Sequence, residues 1–97
     1  MILPDQIGEA QVICYLILNS NRHKRTGSTE HIVGGTLITE FFALAICQYK
    51  KDDGFYLFYC NSSWEAVTDT YHDTIQDAKE QAEFEYSGTE NDWVNAI

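Results

Sequence analysis

Asp69, His72 and Asp73 fall within five positions of one another. An imidazole beside carboxylates is the arrangement of a general base oriented by an acid. A hydrolytic centre would also need a nucleophile, and no serine or cysteine is tied to His72 by a motif, although Cys60 can approach it across a sheet. The plainer reading has Thr70 and His72 hydrogen-bonding a strand-to-helix turn, with Asp69 bonded to the same turn. Zinc would want ligands in closely spaced pairs, and neither Cys14, Cys47 and Cys60 nor His23, His31 and His72 supply them. The cysteines are odd in number and sit in apolar runs, which fits buried, reduced thiols in a cytoplasmic protein. Asp52-Asp53-Gly54 is too short for a calcium loop. Gly34-Gly35-Thr36 lacks the lysine and spacing of a phosphate loop. No catalytic residue, metal or cofactor is therefore assigned.

The elements that must position any site come from a chain of 97 residues, 44% apolar and 13% aromatic. That is the size and composition of one domain spanning 1–97, with enough apolar mass for its own core. Met1-Ile2-Leu3 leads directly into Pro4-Asp5 without a basic leader, and no apolar run is long enough to span a bilayer, so a cytoplasmic location is expected. The formal charge is -9, from 15 acids against 6 bases. Such a chain repels phosphate backbones and anionic lipid, so neither nucleic acid nor membrane is an expected partner. The cluster Arg22-His23-Lys24-Arg25 could touch phosphate, but no aromatics interleave it, and pairing with the acidic half of the chain is equally open. Residues 61–97 carry nine acids and a single base, Lys79, so nearly all the imbalance lies there.

Val12 to Leu18 is β-branched, aromatic and uninterrupted, the pattern of a strand covered on both faces. Asn19 to Glu30 reads as a long loop. His31 to Thr39 reads as a strand, bulged or bent at Gly34-Gly35. Phe41 to Tyr49 reads as a strand, with a helix over 39–47 as the alternative. Lys50 to Gly54 reads as a hairpin turn in which Gly54 supplies a positive φ. Phe55–Cys60 and Trp64–Tyr71 complete a meander. A helix follows, capped by Asp73 with Gln76 closing a capping box, and it stops at Ser87-Gly88. Together these predict an α+β fold: a four- or five-stranded antiparallel sheet, a long loop after the first strand, and one C-terminal helix on one face.

At about 100° per residue, Ile75, Ala78, Ala82 and Tyr86 form the stripe that meets the sheet. Phe84 falls opposite, among Asp73, Asp77, Glu80 and Gln81. A ring projected among carboxylates either anchors a basic partner or is covered by Trp93 and Val94 of the tail. In the first case the ring supplies affinity and the acids supply steering.

Phe55 to Cys60, Trp64, the run Asp69-Thr70-Tyr71-His72-Asp73-Thr74, the run Ala78 to Tyr86, and Trp93 form a DTxHDT…AxxQAEFEY…W pattern. It resembles a small family of bacterial proteins and, more broadly, the short acidic immunity proteins of polymorphic or contact-dependent toxin systems. The likeness covers residues 55–93 and implies no catalytic residues. It implies a toxin inhibitor that occludes a basic, nuclease-like domain. The candidate partner-binding residues are then Asp73, Asp77, Glu80, Glu83, Phe84 and Trp93. Two other classes remain open: a small enzyme or ligand-binding domain using His72 and Asp69, and a homodimer joined through a sheet edge near Trp64–Tyr71.

Overall fold

A computed structural model describes residues 3–97. The strands are β1 (Gln6–Ile7), β2 (Ala10–Ile17), β3 (Lys24–Arg25), β4 (His31–Val33), β5 (Thr36–Ile38), β6 (Ala43–Gln48), β7 (Phe55–Cys60) and β8 (Ala66–His72). The helix α1 (Ile75–Glu85) follows, then β9 (Tyr86–Ser87) and β10 (Val94–Asn95). The expected α+β class holds, with an antiparallel sheet and one helix near the C-terminal end packed on it. The sheet runs β1-β2-β6-β7-β8, and β10 adds to the outer edge of β2 beyond β1. That makes six strands rather than four or five, because two-residue strands near either end are too short to show periodicity in the sequence.

β6 is central, and every residue from Ala43 to Cys47 is fully buried. Its residues alternate between two cores. Leu44 and Ile46 join Leu57, Tyr59, Ala78 and Ala82 beneath the helix. Ala43, Ala45 and Cys47 join Phe58, Cys60 and Trp64 on the opposite face. The helix alternative for 39–47 therefore fails. A strand between two buried faces is apolar throughout, so two alanines here mark close packing and not helix propensity. β2 reaches both cores through a bulge between Val12 and Cys14. Val12 packs on the helix-free face, and Cys14 and Leu16 face the helix, which unbroken alternation would forbid.

Several expected details move. His31–Thr39 is not a strand of the main sheet but a separate hairpin, β4–β5. Its turn is Gly34-Gly35, with φ of 58° and 82°, and two consecutive positive φ values are what a tight type I′ hairpin requires. The segment after β2 is not loop throughout, since β3 pairs with β9 directly beyond the helix. Gly54 has no positive φ; it is small because the Tyr71 ring occupies the space a Cβ would need. Trp64 lies outside β8, in a turn, with φ of 60°. That strain is held by burial of its indole edge-on against Tyr15 and Phe42, at 5.8 and 5.7 Å.

The helix begins one residue later than expected. Thr74, not Asp73, is the N-cap, and its hydroxyl accepts from the Asp77 N–H at 3.0 Å. Asp77 in the first turn complements the helix dipole. The chain passes straight from α1 into β9, so Gly88 does not end the helix. Its φ is 95°, and a Cβ there would strike the Arg22 carbonyl oxygen. Thr74→Ala is expected to lower stability by about 1 kcal/mol, the usual cost of an N-cap hydroxyl. Urea denaturation monitored by far-UV circular dichroism measures it, and an unchanged midpoint contradicts the cap assignment.

Candidate partner-binding face and the network beneath it

The outward face of α1 is open. Phe84 is 56% exposed; Glu80, one turn back on the same side, and Asp77, two turns back, are exposed as well, and Asp73 is exposed just before the helix begins. The tail does not cover the ring, because β10 pairs with Tyr15 and Cys14 on β2, whereas α1 contacts β6, β7 and β8. Trp93, on the way to β10, turns inward and packs half-buried against the core beneath the helix. Its indole N–H is enclosed without a partner.

Glu83 is also drawn away from that face. Its carboxylate accepts from the backbone N–H groups of Gly88, Thr89 and Glu90, each at 3.0 Å. The Gly88 N–H above all, with those of Glu90 and Thr89, holds the Glu83 carboxyl below the usual carboxylate range. The expected set of six thus divides. Asp73, Asp77, Glu80 and Phe84 share one surface, while Glu83 and Trp93 hold the tail.

Beneath the helix lies a residue that periodicity assigned no role. Glu85 is 4% exposed, beside Ala78 on the wheel and facing the sheet. Its Oε1 is 2.6 Å from His31 Nε2. Its Oε2 accepts from the Tyr59 hydroxyl and, at 3.1 Å, from Gln81 Nε2. Burial pushes the Glu85 carboxyl up, and His31 opposes the shift. The imidazole is itself enclosed, its centroid 4.3 Å from that of Tyr59 and 5.4 Å from that of Phe41. A buried carboxylate is tolerated only when its oxygens are met, and here they are met from a hairpin, a strand and the helix itself. Nothing in the sequence marks this, since the partners are 54, 26 and 4 residues away.

A second clasp joins the tail to the segment after β2. Asp92 takes a two-pronged bond from Arg22, at 2.6 and 3.1 Å, and lies 2.6 Å from His23 Nε2. The Asn19 N–H donates to His23 Nδ1 at 2.9 Å, so the ring proton sits on Nε2 and points at Asp92. Arg22 first, then His23, draws the Asp92 carboxyl below its usual range. Two members of the basic cluster are therefore spent inside the molecule.

Asp69 and His72 are not brought together. Asp69 and His72 are three positions apart on a regular part of β8 and leave it on opposite sides. His72 bonds Thr70 Oγ1 at 2.7 Å, and burial lowers its imidazole against the pull of Asp77 and Asp73. Cys60 pairs near the other end of the β7–β8 ladder, roughly 17 Å of strand from His72. Its thiol is pushed up to about 12 by burial, which leaves it unreactive. All three cysteines are free and buried. Among the described residues, no cluster of His, Cys, Asp and Glu is arranged to hold a metal ion, and no helix is long and apolar enough to cross a membrane.

Glu85→Ala strands His31 and the Tyr59 hydroxyl and should cost about 3–5 kcal/mol. Glu85→Gln, which keeps the shape and some bonds, should cost clearly less, and equal midpoints in urea for the two variants would contradict the network. Acid acts through the depressed carboxyls. Asp92 and Glu83 bind protons more readily unfolded than folded, so their contribution is complete above about pH 5.5 and lost progressively as pH falls through the lower folded values. Glu85 works in the opposite sense, its contribution shrinking as pH rises through its elevated folded value. Asp92→Asn should melt lower at pH 7 and lose less on acidification than the parent, and parallel melting curves between pH 7 and 3 would refute this. Comparison with known proteins finds no family model, no curated protein and no solved structure that matches this chain.

Proposed function

We propose that this protein is a binding protein of the immunity type, which neutralises a basic, nuclease-like toxin domain by covering it with the outer face of α1. The observation that carries this reading is the exposure of Phe84 amid Asp73, Asp77 and Glu80. An exposed aromatic ring in line with carboxylates gains free energy when a partner buries it, and rings of this kind anchor interfaces. A nuclease must attract phosphate, so its site is positive, and a rigid row of carboxylates matches that field. The anchors are Phe84 for burial and Asp73, Asp77 and Glu80 for steering. Glu83 and Trp93 act indirectly, by keeping the tail off the face. The protein works in this reading as a cytoplasmic inhibitor without catalysis or cofactor.

The test first asks whether the neighbouring reading frame encodes a nuclease-like domain, and then pairs the protein with that domain. Phe84→Ala should weaken affinity by about 2 kcal/mol, the scale of an interface anchor. Asp77→Lys combined with Glu80→Lys should slow association about tenfold or more at low salt and flatten its salt dependence. Both positions are exposed, so the fold should survive. An association rate indifferent to salt and to the reversal would sink the reading.

A further inference from the structure

The basic cluster has two members that the Asp92 clasp does not use. Lys24 and Arg25 form β3, and among the described residues neither has a carboxylate within ion-pair distance. What sets them apart from the other cations is their place beside a cleft. Both border a cleft of about 640 Å³, whose apolar walls are Leu18, Phe41 and Tyr86 and whose single acid is Glu40. That volume lies within the range of small-molecule sites.

The cleft is built, not incidental. Arg25 is directly opposite Tyr86 in the β3–β9 ladder, so their side chains leave the ribbon on the same face. The Tyr86 ring is 8% exposed, and its hydroxyl has no protein partner and is not enclosed. Lys24 donates to the Ser20 carbonyl at 2.7 Å, which fixes the ammonium and leaves it further donors. The ribbon is pinned on either side, by the Asp92 clasp before it and by the Thr26 N–H on the Glu85 carbonyl at 2.9 Å after it. Little ordering remains for a ligand to impose.

We propose that this cleft binds a small, flat organic oxyanion, an aromatic ring bearing a carboxylate or a phosphate, with Arg25 as its anchor. The planar guanidinium matches two oxygens of such a group, and the Tyr86 hydroxyl, on the same face of the ribbon, meets a third. Phe41 and Leu18 supply the apolar bed for the flat body. A polyanion does not fit, because two cations make no phosphate track and the chain around them is strongly negative. A single small anion seated on Arg25 faces one acid of the cleft itself, Glu40, while exposed acids more than about 8 Å away are screened at physiological salt. The site is independent of the outer face of α1.

Amide-resolved NMR titration of the whole protein tests this, with phenyl phosphate and benzoate as probes and inorganic phosphate and benzamide as controls. Either aromatic anion should give saturable shifts confined to residues 18–25, 39–41 and 86, and the tighter of the two assigns the head group. Arg25→Gln, an exposed substitution that should keep the spectrum dispersed, should weaken binding about tenfold or more. Phe84→Ala should leave binding unchanged, which separates this site from the partner-binding face. The proposal falls if neither aromatic anion saturates, if Arg25→Gln binds equally well, or if inorganic phosphate or benzamide binds as tightly as the aromatic anions.

Discussion

A carboxylate has to be kept satisfied in the interior, and much of the arrangement follows from that. Glu85 is on the sheet-facing side of α1, where an alanine-rich stripe brings helix and sheet close together. An unpaired charge at that depth would be intolerable. Its partners come from three separate elements: His31 at the root of the β4–β5 hairpin, Tyr59 on the central part of β7, and Gln81 one turn back on the helix. The hairpin pairs with no strand of the main sheet, so the His31 contact is its chief polar tie to the core. The helix cannot slide or rotate without breaking these bonds together, and so the outward direction of Phe84 is set from below.

The other face of the sheet solves a different problem. No helix covers it, and the burial of Ala43, Ala45 and Cys47 depends on aromatic rings folding over small residues. Trp64 is the largest of them, held in a left-handed backbone conformation that an isolated tryptophan would avoid. The bulge in β2 lets one strand serve both faces, with Val12 on this side and Cys14 and Leu16 on the other. The three thiols are absorbed in these cores as a consequence of packing.

Net charge proves a poor guide to surface field. Of the nine acids in the last 37 residues, Glu85 is enclosed, Glu83 is bound to tail amides and Asp92 is matched by Arg22 and His23. What faces outward from the helix is a smaller and more ordered set. The same redistribution acts on the cations. Arg22 and His23 are consumed by the clasp, and Lys24 and Arg25 are left at a cleft, so a four-residue basic run divides into one structural half and one available half.

The sequence by itself determined the strands β2, β7 and β8, the extent and capping region of α1, the core alanines of its inner stripe and the direction of Phe84 away from the sheet, and it left 39–47 open between strand and helix. These follow from short-range periodicity: a period of two or an unbroken apolar run for strands, and about 3.6 for the helix, each readable within a dozen residues. Only the tertiary structure decided that Thr74 and not Asp73 is the cap, that Gly34-Gly35 closes a separate hairpin, and that Trp93 turns inward. It alone decided that Asp69 and His72 part company across β8 and that Glu85 is buried. The physical reason is range. An exposed glutamate and a buried, fully bonded one are the same letter, and the partners that make burial tolerable are contributed by segments dozens of residues away, whose approach is fixed only when the sheet has closed.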